Sequence, residues 1–365
     1  MSNKFYKGLG RHDIWPEISA PMELTYDDVN IVPGVKTPLN SRSEVDPYVE
    51  IGPYKNILPI ISAPMDSISA LDENGDVQMI RALAKAGALG TLPVHKKGDS
   101  IKKHLELCER FTNEEVPCIY TVNFQDTIAE AEAYYARGAR ILMFDTAHGG
   151  QMRVERSVKE LKDKFGANIT LIAGNIATYL GAQWYKEMGV DIAKVGIGPG
   201  SVCTTRLTTG VGMPQISAIF DTRAAGISII ADGGLKHPGD VAKAMAAGAN
   251  FVMIGGMFAG TEETPFEVNA AGQKLRKYRG QASEDYMTDN KIEKSKARTH
   301  EGISTEVANK GSVIEIVHRI EGGLRSAMSY VGAPDLKAFE EMATFTTVST
   351  AAHLEGHPHF IQERK

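Results

Sequence analysis

The sequence predicts an α/β protein of the (β/α)8 TIM barrel class, and three observations support this prediction. From about residue 58 onward, short apolar runs alternate with amphipathic stretches of helical period. The apolar runs are continuous, which indicates strands that are buried on both faces, as in a parallel sheet. Eight such strand–helix units in a chain of 365 residues favour a closed barrel over an open doubly wound sheet.

Each element of the predicted barrel follows in chain order, after an extended stretch at residues 24–33. The predicted strands, all short and rich in aliphatic residues, occupy residues 58–62, 90–94, 118–122, 141–145, 169–173, 192–195, 228–231 and 251–254. The predicted helices, which place apolar residues on one face, occupy residues 71–86, 100–110, 126–137, 152–165, 181–188, the stretch after Pro214, 239–247 and 313–326. The pattern predicts one barrel domain over residues 1–365.

One long interruption separates the eighth strand from the last helix. Residues 259–311 are rich in charge, above all at 291–298, and they show little apolar periodicity. On composition alone, such a segment is either a solvated excursion or a functional lid. Its place at the C-terminal face of the barrel favours a flap over the site.

Composition and charge exclude several classes of protein. A hydrophobic content of 42% and a charged content of 23% are typical of a soluble globular chain, and the net charge of −5 predicts neither nucleic acid nor a membrane surface as a partner. No apolar run is long enough to span a bilayer, and residues 1–20 lack the apolar core of a signal peptide. Three cysteines without metal spacing or obvious pairing indicate a reducing compartment. We therefore expect a cytoplasmic protein.

Residues 195–217 are the most informative stretch of the chain. They contain five glycines, two prolines and a single cysteine, Cys203. A predicted strand leads into the stretch, so the cysteine lies in a loop whose glycines allow close approach to a ligand. Most lone cysteines are small buried hydrophobes. A thiol in such a loop beside Thr205 and Arg206 has instead the surroundings of a nucleophile.

Two glycine pairs follow the seventh and eighth predicted strands, where barrels bind phosphate. The first pair, Gly233 and Gly234, comes after Asp232, and the second is Gly255 and Gly256. Their backbone N–H groups can face an anion, and a helix that begins near Pro238 would add its positive end. The sequence therefore predicts an anion site opposite the cysteine loop.

The run at residues 196–206 resembles the catalytic loop of the IMP dehydrogenase / GMP reductase family, and the resemblance covers about residues 24–360. It implies the same barrel, a purine mononucleotide (GMP or IMP) as the ligand, and covalent attack by Cys203 on C2 of the purine. The implied nucleotide contacts are Ser201, Asn175, Asp232, Gly233, Gly234, Gly255, Gly256 and Met65. The nicotinamide pocket implied by the resemblance contains Asp145, Thr146 and Ala147.

The resemblance also implies a K⁺ site and an assembly. The backbone carbonyls of Gly198, Gly200 and Cys203 correspond to the monovalent-cation site of the family, and hard carbonyl oxygens suit K⁺ better than a transition metal. The family is usually homotetrameric. The tandem nucleotide-sensing module that many IMP dehydrogenases carry after the second strand has no counterpart in the short link at residues 94–100.

Features of the flap favour GMP reductase over IMP dehydrogenase. Residues 281–301 contain no Arg-Tyr pair of the kind that hydrolyses the dehydrogenase intermediate, and Ser283-Glu284 resembles the reductase pattern. The resemblance implies that Glu284 and Thr205 protonate the departing ammonia. The predicted activity is NADPH-dependent reductive deamination of GMP to IMP through a Cys203 thioimidate, in purine nucleotide interconversion. Tyr278-Arg279-Gly280 resembles the dehydrogenases, so an IMP dehydrogenase without the regulatory module stays an alternative, as does a non-catalytic nucleotide-binding paralogue.

Overall fold

A β-hairpin closes the N-terminal end of the fold. The computed structural model describes residues 23–95, 101–124, 126–269, 272–290 and 299–356. The first strands are β1 (Val29–Ile31), β2 (Val49–Ile51) and β3 (Tyr54–Ile57). β2 and β3 pair antiparallel, and their side chains Ile51 and Ile57 pack into the same cluster as the inward side chains of the following sheet. The hairpin thus plugs one end of that sheet.

The next eight strands form a closed parallel barrel. They are β4 (Ile60–Ser62), β5 (Gly90–Leu92), β6 (Cys118–Thr121), β7 (Ile141–Asp145), β8 (Thr170–Ile176), β9 (Ile192–Val195), β10 (Ser228–Asp232) and β11 (Phe251–Ile254). Neighbours along the chain pair in parallel, and β11 pairs with β4. The Ser62 amide donates to the Leu89 carbonyl at 3.0 Å and closes the ring between β4 and β5. The predicted (β/α)8 fold is confirmed.

Side chains on each barrel strand alternate between the interior and the helices. Ile172, Ile192 and Ile230 belong to the interior cluster, whereas their neighbours Ala173 and Ala193 pack in the outer core. This alternation follows from the pleat of a strand. Complete burial of each isoleucine contributes about 1.5–3 kcal/mol to stability, so the filled interior forms a rigid base for the loops above it.

Helices surround the barrel between its strands. They are α1 (Gln78–Lys85), α2 (Lys102–Asn113), α3 (Thr127–Tyr135), α4 (Met152–Phe165), α5 (Tyr179–Glu187), α6 (Thr205–Thr209), α7 (Gln215–Arg223) and α8 (Pro238–Ala247). The side chain of Thr178 caps α5 by accepting from the amide of Gly181. α8 ends at Gly248, whose φ of 109° favours a residue without a Cβ. Of these eight helices, only the short helix α6 was not predicted from the sequence.

The flap contains regular structure that the sequence did not predict. It comprises β12 (Glu267–Val268), β13 (Lys274–Arg279), α9 (Glu284–Asp289) and β14 (Ser304–Val307). The three strands form an antiparallel sheet. Charged side chains alternate with few apolar ones along β13, so its sequence resembles a solvated segment. The charged run at 291–298 lies outside the described residues.

The C-terminal elements complete the barrel and tie it to its start. They are α10 (Val313–Val331), α11 (Leu336–Met342), β15 (Phe345–Thr347) and α12 (Thr350–Glu355). α10 packs against α8 and α1, as the eighth helix of a barrel does, and β15 pairs antiparallel with β1. Among the helices of the described ranges, none has the length and apolar character needed to cross a membrane.

Candidate active site

The loop between β9 and α6 carries Cys203, and its shape depends on a glycine and an arginine. Gly198 has a φ of 85°, and a Cβ there would lie 2.5 Å from Cγ of Arg206. The glycine therefore leaves room for the arginine. The Arg206 guanidinium donates to the carbonyls of Ile197 and Met213, which ties the beginning of the loop to the segment that follows α6.

Cys203 differs from the other two cysteines in its surroundings. Cys108 and Cys118 are buried, and Cys203 is partly exposed. Burial raises the pKa of the Cys108 and Cys118 thiols, which keeps them protonated and inert. The Cys203 thiol instead donates to the hydroxyl of Thr205 over 3.1 Å. Of the three, Cys203 is the candidate nucleophile.

Thr205 carries this contact onward to a carboxylate. Its hydroxyl donates to Oε2 of Glu301 at 2.8 Å, so the thiol, hydroxyl and carboxylate form a chain along which a proton can move. The sequence predicted Glu284 as the partner of Thr205. In the structure Glu301 holds that place, and the role of Glu284 stays a prediction. Glu284 is exposed at the first position of α9.

Main-chain contacts explain why Glu301 reaches the site. The flap segment at Gly302 bridges antiparallel to Cys203, and the amide of Thr204 donates to the carbonyl of Glu301 at 2.9 Å. A Cβ on Gly302 would stand 3.2 Å from the carbonyl oxygen of Val202, closer than ordinary contact. The glycine thus lets the flap approach the cysteine loop closely enough to deliver the carboxylate.

Gly255 and Gly256 lie against the side chains of Ser201, Tyr278 and Met65, and we call this group of residues the cradle. A Cβ on Gly256 would stand 2.7 Å from Oγ of Ser201, and one on Gly255 would stand 2.8 Å from the hydroxyl of Tyr278 and 3.4 Å from Sδ of Met65. Burial raises the pKa of Tyr278, so its hydroxyl is a neutral donor. The two glycines therefore lie directly against two hydroxyls, and backbone N–H groups and hydroxyls are groups that can bind an anion.

The other glycine pair packs against the cysteine loop. Gly233 and Gly234 have φ values of 90° and 80°, and a Cβ on either would meet the ring of Pro199. Just before α8, the amide of His237 donates to the carboxylate of Asp240 at 2.9 Å. Because this carboxylate lies at the start of α8, the glycine turns are better placed than the helix terminus to hold an anion.

A buried lysine connects the ends of the neighbouring strands. Nζ of Lys194 lies 2.8 Å from Oδ1 of Asp145 and 2.7 Å from Oδ2 of Asp232, and it also donates to Oδ1 of Asn175. Burial alone would lower the pKa of this ammonium, but the two carboxylates outweigh burial and raise it. The lysine is therefore charged.

Asn175 lies beneath the site and orients Asp232. It is 7% exposed, and its Nδ2 donates to the Gly196 carbonyl at 2.6 Å and to Oδ2 of Asp232 at 2.9 Å. Both amide hydrogens are thus used within the protein, and a contact of Asn175 with a purine stays a prediction. Oδ1 of Asp232 accepts no hydrogen bond from the residues that the structure describes, so it can accept from a ligand.

The turn after β7 contains the three residues predicted for the cofactor. The Thr146 hydroxyl donates to the carbonyl of His148 at 2.8 Å and accepts from its amide, so it stabilises the turn. Ala147 is exposed, and the Asp145 side chain is 14% exposed. The turn therefore offers a ligand the Asp145 carboxylate and the exposed residue Ala147.

The flap docks onto the loop after β4. The Arg279 guanidinium donates to Asp66 at 2.6 Å and to Asp289 at 2.5 Å. The side-chain amide of Gln281 donates to the Pro64 carbonyl at 2.6 Å. Because the contacts of Arg279 with Asp66 and of Gln281 with Pro64 join the flap to the loop that contains Met65, they close one side of the cradle.

The carbonyl groups predicted to bind K⁺ lie on the cysteine loop. The Gly200 carbonyl accepts from the amide of Cys203 at 3.0 Å and keeps a second lone pair. In the part of the chain that the structure describes, no group of three His, Cys, Asp or Glu side chains is placed to hold a metal ion.

Three residues of the site lie outside the sequence prediction: Lys194, Tyr278 and Glu301. The sequence signal for Lys194 is its position inside an apolar run, because a lysine buried there must pair with a buried partner. Tyr278 alternates with buried Arg276 along β13, but the surrounding charges hide the pattern. For Glu301, the one sequence signal is the adjacent Gly302, which allows the flap to approach the cysteine loop closely.

Comparison with known proteins identifies sequence relatives. The model of the IMP dehydrogenase / GMP reductase domain matches residues 23–359. Inosine-5'-monophosphate dehydrogenase of Streptococcus pyogenes is 46% identical over 250 residues, which are 65% of this chain and 50% of the relative. The enzyme of the same name from Staphylococcus saprophyticus is 43% identical over 253 residues, 66% of this chain and 52% of the relative. The matches thus span about half the length of these relatives.

Proposed function

The chain belongs to the IMP dehydrogenase / GMP reductase family, and on this premise we propose that it is an oxidoreductase acting at C2 of a purine 5′-mononucleotide. The observation that carries the proposal is the chain of hydrogen bonds from Cys203 through Thr205 to Glu301. It places a partly exposed thiol and a group that can move a proton beside an anion cradle.

The cradle provides the grip on the nucleotide. Ser201, the Tyr278 hydroxyl and the N–H groups of the glycine turns suit the 5′-phosphate. The available oxygen of Asp232 suits a ribose hydroxyl, because a carboxylate accepts strongly from such donors. With phosphate and ribose held at these two points, the purine extends toward the cysteine loop.

Cys203 then forms a covalent bond with the purine. The thiolate adds to the electrophilic C2, and loss of hydride from IMP, or of ammonia from GMP, leaves a thioimidate. In the first case, water adds to the thioimidate, and loss of the cysteine sulfur releases XMP and regenerates the thiol. In the second case, a hydride adds to C2 of the thioimidate, and loss of the cysteine sulfur releases IMP. Thr205 and Glu301 take the proton from this water, or in the second case give one to the departing ammonia.

A nicotinamide dinucleotide would supply the hydride acceptor or the hydride donor for this chemistry. The turn at Asp145, Thr146 and Ala147 fits such a ligand, since its carboxylate can accept from ribose hydroxyls and Ala147 is exposed. These residues are the proposed cofactor contacts.

IMP dehydrogenation with NAD⁺ is the first candidate, because the two relatives described above are named inosine-5'-monophosphate dehydrogenase. GMP reduction with NADPH is the second candidate. Residues 281–301 contain no Arg-Tyr pair, so Glu301 and Thr205 are the groups available to move a proton, and they serve an ammonia leaving group as well as they serve water.

A steady-state assay with both substrate pairs separates the candidates. We expect XMP and NADH from IMP and NAD⁺, and little NADPH consumption with GMP. IMP and ammonia formed from GMP and NADPH would establish the second candidate instead. Nucleotide binding without either turnover would contradict both reactions and indicate a binding protein.

Potassium dependence is a further expected property of the enzyme. Carbonyl oxygens of Gly198, Gly200 and Cys203 would hold K⁺ and order the cysteine loop, since these hard ligands suit a large monovalent cation. We expect turnover to fall several-fold when Na⁺ or Li⁺ replaces K⁺ at constant ionic strength, an effect on the order of 1 kcal/mol. Equal rates in all three salts would remove this site from the proposal.

A further inference from the structure

Lys194 occupies a position that most barrel strands fill with an apolar side chain. Ile192, two residues earlier on β9, packs in the barrel interior, and Lys194 shares its face because side chains alternate along a strand. On β8, Gly174 lies opposite in register. A Cβ on Gly174 would stand 2.4 Å from Cβ of Lys194, so the glycine makes room for the lysine stem.

The ammonium of Lys194 is fully used within the protein. Its three hydrogens face three acceptors, and Asp145, Asn175 and Asp232 supply them from the ends of β7, β8 and β10. The lysine side chain is 2% exposed, whereas those of Asp145 and Asp232 are 14% and 21% exposed. A ligand can therefore touch the two carboxylates but not the ammonium between them.

The two carboxylates are close enough to repel one another. Each has an oxygen within 2.8 Å of the same nitrogen, so these oxygens lie within about 6 Å of each other, a range in which like charges disfavour each other strongly. Under the proposed function, Asp232 faces the nucleotide and Asp145 faces the cofactor. One buried cation thus lies between the two ligand sites.

We propose that Lys194 is a positioning residue, a shared counter-ion that holds the nucleotide-side and cofactor-side carboxylates next to each other. This inference rests on the proposed function, since it assigns the carboxylates to two ligands. Without the lysine, repulsion from Asp145 displaces Asp232, and nucleotide binding suffers although Asp145 never touches the nucleotide.

The test is a rescue experiment that measures IMP binding by calorimetry without cofactor, so that no turnover occurs. Lys194→Met keeps the length of the side chain and removes its charge, and we expect the Kd for IMP to rise about 10-fold or more. Adding Asp145→Asn removes the repulsion, and we expect at least about a threefold recovery of affinity. Lys186→Met, a change of an exposed lysine on α5, is the matched control and should leave the Kd for IMP unchanged.

Each outcome distinguishes a counter-ion role of Lys194 from a purely structural one. If Lys194 only filled space, Asp145→Asn would further destabilise the same cluster and would not restore the affinity for IMP. The absence of rescue would therefore overturn the inference. An unchanged Kd in Lys194→Met also overturns it. Should Lys194→Met fail to fold, recovery of folding and IMP binding in the double variant supports the inference, and failure to recover overturns it. If the unaltered protein binds neither IMP nor GMP, the proposed function itself fails, and the inference falls with it.

Discussion

Replacement of Cys203 by alanine is expected to abolish turnover while nucleotide binding persists. The thiol is the only group in the proposed chemistry that bonds to C2, so its loss should reduce turnover by about 10⁴-fold or more. The cradle around Ser201, Gly255 and Gly256 does not involve the sulfur, and the Kd for IMP should change little. Steady-state kinetics and calorimetry measure the two effects. In the unaltered protein, mass spectrometry should detect a nucleotide adduct on the peptide that contains Cys203.

The other two cysteines provide matched controls. Cys108→Ala and Cys118→Ala each remove one buried sulfur, which should cost about 1 kcal/mol of folding stability and leave turnover per folded molecule unchanged. Thermal unfolding measured beside activity separates these two quantities. Full activity in Cys203→Ala would contradict the whole assignment, and loss of activity in either control at unchanged stability would shift the nucleophile elsewhere.

The barrel could be predicted from the sequence because its signals are local. A parallel strand buried on both faces must be apolar throughout, and residues 141–145, 192–195 and 251–254 have the predicted bounds in the structure. The flap sheet could not be predicted in this way. β13 buries Arg276 and Tyr278 among exposed charged neighbours, and the Arg276 guanidinium is satisfied by the Thr261 carbonyl at 2.9 Å. Composition gives no sign of such pairing.

The site was predictable where chemistry and backbone conformation lie in one stretch, as in the loop of Cys203. It was not predictable where a residue arrives from a distant part of the chain. Glu301 reaches Thr205 from 96 positions away, and the bridge at Gly302 that brings it there depends on how the flap folds back. The contacts of Asn175 could not be predicted for the same reason. Its amide hydrogens bond to Gly196 and Asp232, which only the folded barrel brings next to it.

Replacement of Glu301 by glutamine is expected to slow the proton-dependent step by about 10²-fold or more, the usual contribution of a positioned acid or base. Glutamine keeps the size of the side chain and can still accept from Thr205, but it cannot take up or release the proton. The amide and carbonyl of residue 301 hold the flap against Ala282 and Thr204, and the substitution leaves these main-chain bonds in place. Because Glu301 does not contact the cradle, the Kd for IMP should stay near its original value.

Glu284→Gln is the matched control for this prediction, since it makes the same chemical change on the same flap. Glu284 is exposed, and its replacement should alter turnover by no more than about twofold. Rapid mixing of enzyme, IMP and NAD⁺ separates the hydride step, which forms the covalent adduct, from the slower release of product. In Glu301→Gln we expect a burst of NADH of normal size followed by slow turnover, because hydride transfer needs no proton from the carboxylate. Equal loss in both steps would mean that Glu301 only holds the flap in place. A large loss in Glu284→Gln with normal rates in Glu301→Gln would return the acid to the residue that the sequence first indicated.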